Sequence, residues 1–118
     1  MAESELAALS REVQRQFEAE LEPHFRIEER WLLPALEAKG GARLAAQTVA
    51  DHEHLRVLVR GDWSKDTAHE LGTRLEKHVR FEERVLFPEA QACLSEAELA
   101  RIRDAATNRN NDGERRSP

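Results

Sequence analysis

Five side chains in this sequence place ligand chemistry at helical spacing. His24 and Glu28 stand four residues apart, as do His78 and Glu82, and His52 lies between the two pairs. Four residues on an α-helix turn through ~400°, a net ~40°, so each imidazole shares a face with its carboxylate. Imidazole supplies a neutral nitrogen lone pair and carboxylate a hard anionic oxygen. That combination suits iron, manganese or zinc rather than copper(I) or a thiolate-bound ion. Two carboxylates set between several imidazoles can bridge two metal ions and leave an open position for a small diatomic molecule.

The pairs sit inside an internal repeat. Residues 23–38 read PHFRIEERWLLPALEA and residues 77–92 read KHVRFEERVLFPEAQA, at an offset of 54. Eight of the sixteen positions are identical. Both pairs lie on stripes that are otherwise apolar, so the carboxylates are expected to face the interior. An unpaired buried carboxylate costs several kcal/mol or shifts its pKa upward, and two facing each other repel. A divalent or trivalent cation removes both penalties. A lone His–Glu pair at this spacing is ordinarily a surface hydrogen bond. Its recurrence in matching context on the core face argues for the metal.

The other polar candidates sort by azimuth. His54 lies ~200° round the helix from His52 and off its stripe, which makes it the alternative ligand on that segment. His69 reads as a surface residue. Glu29 and Glu83 are expected off the core face, in solvated ion pairs with Arg26, Arg30, Arg80 and Arg84. Holding a ligand imidazole is their alternative role. Trp31, Trp63, Phe17, Phe25, Phe81 and Phe87 read as packing, with Phe25 and Phe81 placed to shield the site. Cys93 reads as a small buried apolar residue near a helix end.

Helices must carry these residues. The first stripe, Leu6, Val13, Phe17, Leu21, His24, Glu28, Leu32 and Ala35, predicts a helix over about 4–38, with a bend or local break near Pro23 and Pro34. Lys39-Gly40-Gly41 ends it. Leu44, Thr48, His52, Leu55 and Val59 predict a second helix over about 43–59, closed by Gly61-Asp62. Leu71, Leu75, His78, Glu82 and Val85 predict a third over about 65–92, with Pro88 near its far end. Ser95 with Glu98 is a capping box and Leu94 with Leu99 a hydrophobic staple, which predict a short helix over about 96–106. Residues 107–118, without apolar periodicity, are expected to be a disordered tail to a helical domain over 1–106. Three long helices with short connections and a short last one give an all-α, up-down bundle.

The chain has 118 residues, a formal net charge of −5 and one cysteine, with charged residues making up 35%. That excludes an internal disulfide framework and a cysteine-based zinc site. The acidic balance offers no electrostatic case for nucleic acid or an anionic membrane. No apolar run approaches the ~18–20 residues of a bilayer span. The start, Met1-Ala2-Glu3-Ser4-Glu5, lacks the basic and apolar regions of a secretory signal, so a cytoplasmic location is expected. His-Glu-x-x-His is absent, which argues against a zinc protease.

His24-Phe-Arg-Ile-Glu28-Glu29 with Leu32-Leu33-Pro34, Asp51-His52-Glu53, and His78-Val-Arg-Phe-Glu82-Glu83 with Leu86-Phe87-Pro88 together resemble the hemerythrin-like (HHE cation-binding) domain family. The resemblance spans about residues 5–100. It implies a four-helix bundle with a non-haem di-iron centre that binds oxygen or senses oxygen, nitric oxide or redox state. It also implies that Glu28 and Glu82 bridge the metals, that His52 and His78 ligate one iron, and that His24 ligates the other. The family's helix before the first motif, with its own histidine, is expected to be absent, because the spacing of 26 between His52 and His78, taken back from His24, falls before Met1. Arg56 stands where the oxygen-carrying branch has a further histidine, and arginine cannot take that role. The expected consequences are a homodimer that completes the bundle, or a weakly held second metal. The other functions weighed are a metal-free or mono-metal helical interaction module and a di-iron peroxidase- or oxidase-like enzyme. The Glu-x-x-His spacing of ferritin-like enzymes is absent.

Overall fold

The computed structural model describes residues 2–115, with side chains described through residue 107. The described residues form four helical rods: α1 over residues 3–38, α2 over Ala42–Arg60, α3 over residues 65–93, and α4 over Glu96–Arg115. The chain is all-α, and the rods assemble as a bundle.

Each connection is built from the chemistry the sequence placed there. Gly40 adopts φ 93°, the left-handed turn that only glycine takes without a steric penalty. Its N–H donates to the Glu37 carbonyl at 3.1 Å, and the Gly41 N–H donates to the Leu36 carbonyl at 2.8 Å. Those two bonds satisfy the last carbonyls of α1. Ser64 caps α3 by accepting from the Thr67 N–H at 3.1 Å. At the start of α4 the capping box closes in both directions. The Ser95 N–H donates to Glu98 at 2.9 Å, and the Glu98 N–H donates to Ser95 Oγ at 3.1 Å. Leu94 and Leu99 both join the apolar cluster beneath.

The prolines do not break the rods. They are absorbed by wide π-helical turns at Phe17–Leu21, Glu28–Leu32 and Glu82–Leu86. After each turn the amide donates five residues back: Glu22 to Phe17, Leu33 to Glu28, and Phe87 to Glu82. Proline follows immediately at 23, 34 and 88. It has no N–H to donate, and its ring would collide with the carbonyl four residues earlier, so the wider turn accommodates it. One extra residue rotates the register by ~100°. The buried residues therefore shift from the predicted Ala35 and Val85 to Leu33, Leu36 and Leu86, while Val85 is 46% exposed.

Pairings along the rods give their directions. Glu29 faces His52 and Glu18 faces Arg60, so α1 and α2 are antiparallel. Asp51 lies near His78 and His54 near Glu70, so α2 and α3 are antiparallel as well. α1 and α3 therefore run parallel, which brings equivalent positions of the repeat to one level. α4 packs against residues 22–32 of α1. It is longer than expected: the sequence reading ends it at Ala106, yet the helix continues to Arg115. A helix once nucleated extends by one backbone bond per residue without needing an apolar stripe. The rest of the expected tail, residues 116–118, lies outside the described residues.

Two apolar clusters fill the interior. Leu32, Leu33, Leu36, Ala45, Leu86, Ala90 and Leu94 form one. Phe17, Phe25, Leu55, Val59 and Leu71 form the other. Between these levels lie the buried polar residues Glu28, Thr48, His52, His78 and Glu82, while Glu22 and Arg56 are buried at the level of the second cluster. Trp31 and Phe87, expected in the packing, are instead on the surface at 36% and 37% exposure. Cys93 is half-buried and donates its S–H to Glu89 at 3.0 Å.

Candidate metal centre

Three rods each bring part of one cluster. α1 contributes His24 and Glu28, α2 His52, and α3 His78 and Glu82. One ligand atom from each of Glu28, His52, His78 and Glu82 lies within 4.8 Å of all the others, and all four residues are buried. His24 stands beside them, with its side chain 51% exposed. His54 is outside the cluster, on the surface, paired with Glu70 at 3.1 Å. His69 is exposed.

The two carboxylates each face two ways. Glu28 Oε1 is 3.0 Å from His52 Nε2, and its Oε2 is 3.2 Å from His24 Nε2. Glu82 Oε1 lies against His78 Nε2, and its Oε2 is 3.6 Å from His24 Nε2. An inner side therefore holds two imidazoles and two carboxylate oxygens. An outer side holds one imidazole and the other two oxygens. Phe25 stacks on the His52 ring at 3.9 Å and 10°, and meets His78 edge-on at 5.5 Å.

Both oxygens of Glu28, His52 Nε2 and both ring nitrogens of His78 are buried without a hydrogen-bond partner. Buried polar atoms in proteins are nearly always satisfied, so five orphans in one small volume require an explanation. One donor atom from each of Glu28, His52 and His78 lies within 4.8 Å of the others. Buried imidazole nitrogens and carboxylate oxygens gathered in this way suit a cation. The donor set, imidazole and carboxylate without thiolate, fits iron, manganese or zinc.

Without a cation, protons compensate the charge. The adjacent carboxylates of Glu28 and Glu82 raise the His24 pKa to about 10, outweighing burial. Burial would lower the pKa of His78, but Glu82 and the surrounding carboxylates raise it overall. Burial would raise that of Glu82, but the adjacent rings of His24 and His78 hold it well below the usual carboxylate range.

Behind the cluster is an ion network of which the sequence showed only the alternative role of Glu29, holding a ligand imidazole. His52 Nδ1 is 2.7 Å from Glu29 Oε2. Glu29 is therefore not the solvated ion-pair partner expected; Glu83, in contrast, is exposed. Arg56 is buried. It donates to Glu22 at 2.5 and 3.2 Å, to Glu29 at 2.9 and 3.1 Å, and to Glu53 at 2.6 Å. One signal for the network was available. Arg56 is one turn beyond His52 on the core-facing side of α2, and Glu22 and Glu29 are two turns apart on α1.

An all-α bundle that gathers imidazoles and carboxylates in a buried layer belongs to the class of helical cation-binding proteins. The chain belongs to the hemerythrin HHE cation binding domain family, whose model matches residues 1–90. No curated protein and no solved structure is matched by the chain. No helix among the described residues is long and apolar enough to cross a membrane.

Proposed function

We propose that the chain is a non-haem iron protein with a carboxylate-bridged two-metal centre, and that it binds a diatomic gas or reports redox state. The reading is carried by the five orphaned donor atoms around Glu28, His52 and His78. Glu28 and Glu82 are the bridging carboxylates. His52 and His78 serve the inner metal position and His24 the outer one. Iron in such a setting supplies one-electron redox chemistry and an open coordination position for oxygen or nitric oxide.

The protein's own residues set the terms. Two carboxylates balance much of the positive charge of the metal pair, and the flanking apolar clusters keep bulk water from the inner side. The outer side offers only His24, whose half-exposed ring would hold an outer ion on the side open to solvent and to a small ligand.

The test is exposure of iron-loaded protein, prepared without air, to nitric oxide and then to oxygen. The expected result is an optical change with each gas, weakened in His24→Ala. Spectra unaltered by either gas in protein that retains its iron would contradict the gas-binding role.

A further inference from the structure

His52 is the most enclosed of the proposed ligands, and a neutral imidazole carries its proton on only one of its two nitrogens. If that proton sat on Nε2, it would point at Glu28 Oε1, 3.0 Å away, and the lone pair needed for a metal would be lost. Nδ1 is 2.7 Å from Glu29 Oε2, and an ionised carboxylate only accepts. Glu29 is itself gripped through both oxygens by the Arg56 guanidinium, at 2.9 and 3.1 Å. Arg56 is fixed in turn by Glu22 and lies over the Phe25 ring at 5.7 Å. Phe25 also stacks on His52, so the same group of side chains sets both the proton and the plane of the ring. His78 has no such arrangement: Asp51 Oδ2 is 3.7 Å from its Nδ1, beyond a direct hydrogen bond.

We propose that Glu29, clamped by Arg56, is a positioning residue that holds the proton of His52 on Nδ1 and turns Nε2 toward the metal. This rests on the metal-centre reading above. It gives a buried arginine a task in a layer where no metal can use it as a ligand.

The test compares wild type, Glu29→Ala and Glu29→Gln. In the metal-free full chain, nitrogen NMR of the histidine rings reports the tautomer of His52. The expected result is the Nδ1–H form in wild type, a shift to Nε2–H in Glu29→Ala, and an intermediate state in Glu29→Gln, whose amide oxygen still accepts. Cobalt(II) affinity, read by chelator competition, should fall about 10–100-fold in Glu29→Ala with partial recovery in Glu29→Gln. An unchanged tautomer overturns the proposal, whether affinity holds or falls only in step with thermal stability. If Glu29→Ala does not fold, the isosteric Glu29→Gln is read against the same two outcomes. Wild-type protein that takes up no cobalt while its tautomer still responds to the substitution would fault the metal reading and leave the clamp standing.

Discussion

At the scale of single residues, the molecule separates groups held by protein partners from groups held by none. Arg56 has carboxylates on every polar side, whereas Glu28 and His78 have buried atoms with no hydrogen bond. The two kinds respond differently to substitution. Arg56→Met removes the guanidinium from Glu29 and leaves Glu22 only Arg26 and Arg60, so it is expected to cost about 1–3 kcal/mol in denaturant unfolding. Glu82→Gln removes one of two repelling carboxylates. Because it also removes the charged partner of His24 and His78, it should lower the thermal stability of the metal-free fold at neutral pH, while iron affinity falls by at least about tenfold, as equilibrium dialysis would measure. The residues of the repeat were legible because His24, Glu28, His78 and Glu82 recur in one context at one spacing. The role of Arg56 was not, and that of Glu29 was legible only as an alternative. A glutamate next to several arginines in sequence reads as a surface pair, and only the antiparallel approach of α2 shows that its partner is His52.

At the scale of elements, caps were readable and register was not. Gly40-Gly41, Ser64 and the Ser95–Glu98 box each sit where their side chains or backbone freedom are needed. The φ of 93° at Gly40 gives a direct check. Gly40→Ala meets no atom within 4 Å, so its cost is backbone strain alone, about 1–2 kcal/mol by chemical denaturation. The sequence reading expected a bend or break at Pro23 and Pro34. A wide π turn does interrupt the α pattern just before each of them, and it moves the buried stripe by one residue, which periodicity cannot foresee because it assumes a constant 3.6 residues per turn. Two of these turns begin at Glu28 and Glu82, the proposed bridging residues, so the irregular backbone falls at the site itself.

At the scale of the whole molecule, two apolar clusters enclose a charged layer, and that layer makes stability depend on pH and on metal. His24 has its pKa raised to about 10 from an ordinary 6.5. A raised folded value means its contribution is complete below about pH 6.5 and is lost as pH rises toward 10. Metal-free protein is therefore expected to lose thermal stability across that interval. Glu82 has a lowered pKa, so its contribution is present above about pH 4.5 and declines on acidification. On the proposed reading, a bound metal would take the place of the His24 proton. Loading at pH 8 should therefore release protons, measurable in weakly buffered solution, and should flatten the alkaline decline. The bundle architecture was legible from three amphipathic stripes. The length of α4 was not, because its last turns carry no apolar pattern.

The central claim is that imidazole and carboxylate groups face inward because a cation belongs among them. It is tested most directly by titrating metal-free protein with iron(II) under nitrogen and following binding by calorimetry. The account predicts a tight inner site abolished by His52→Ala with His78→Ala, and a weaker outer site lost in His24→Ala. A flat titration with folded wild-type protein, or binding undiminished in the double variant, would contradict it.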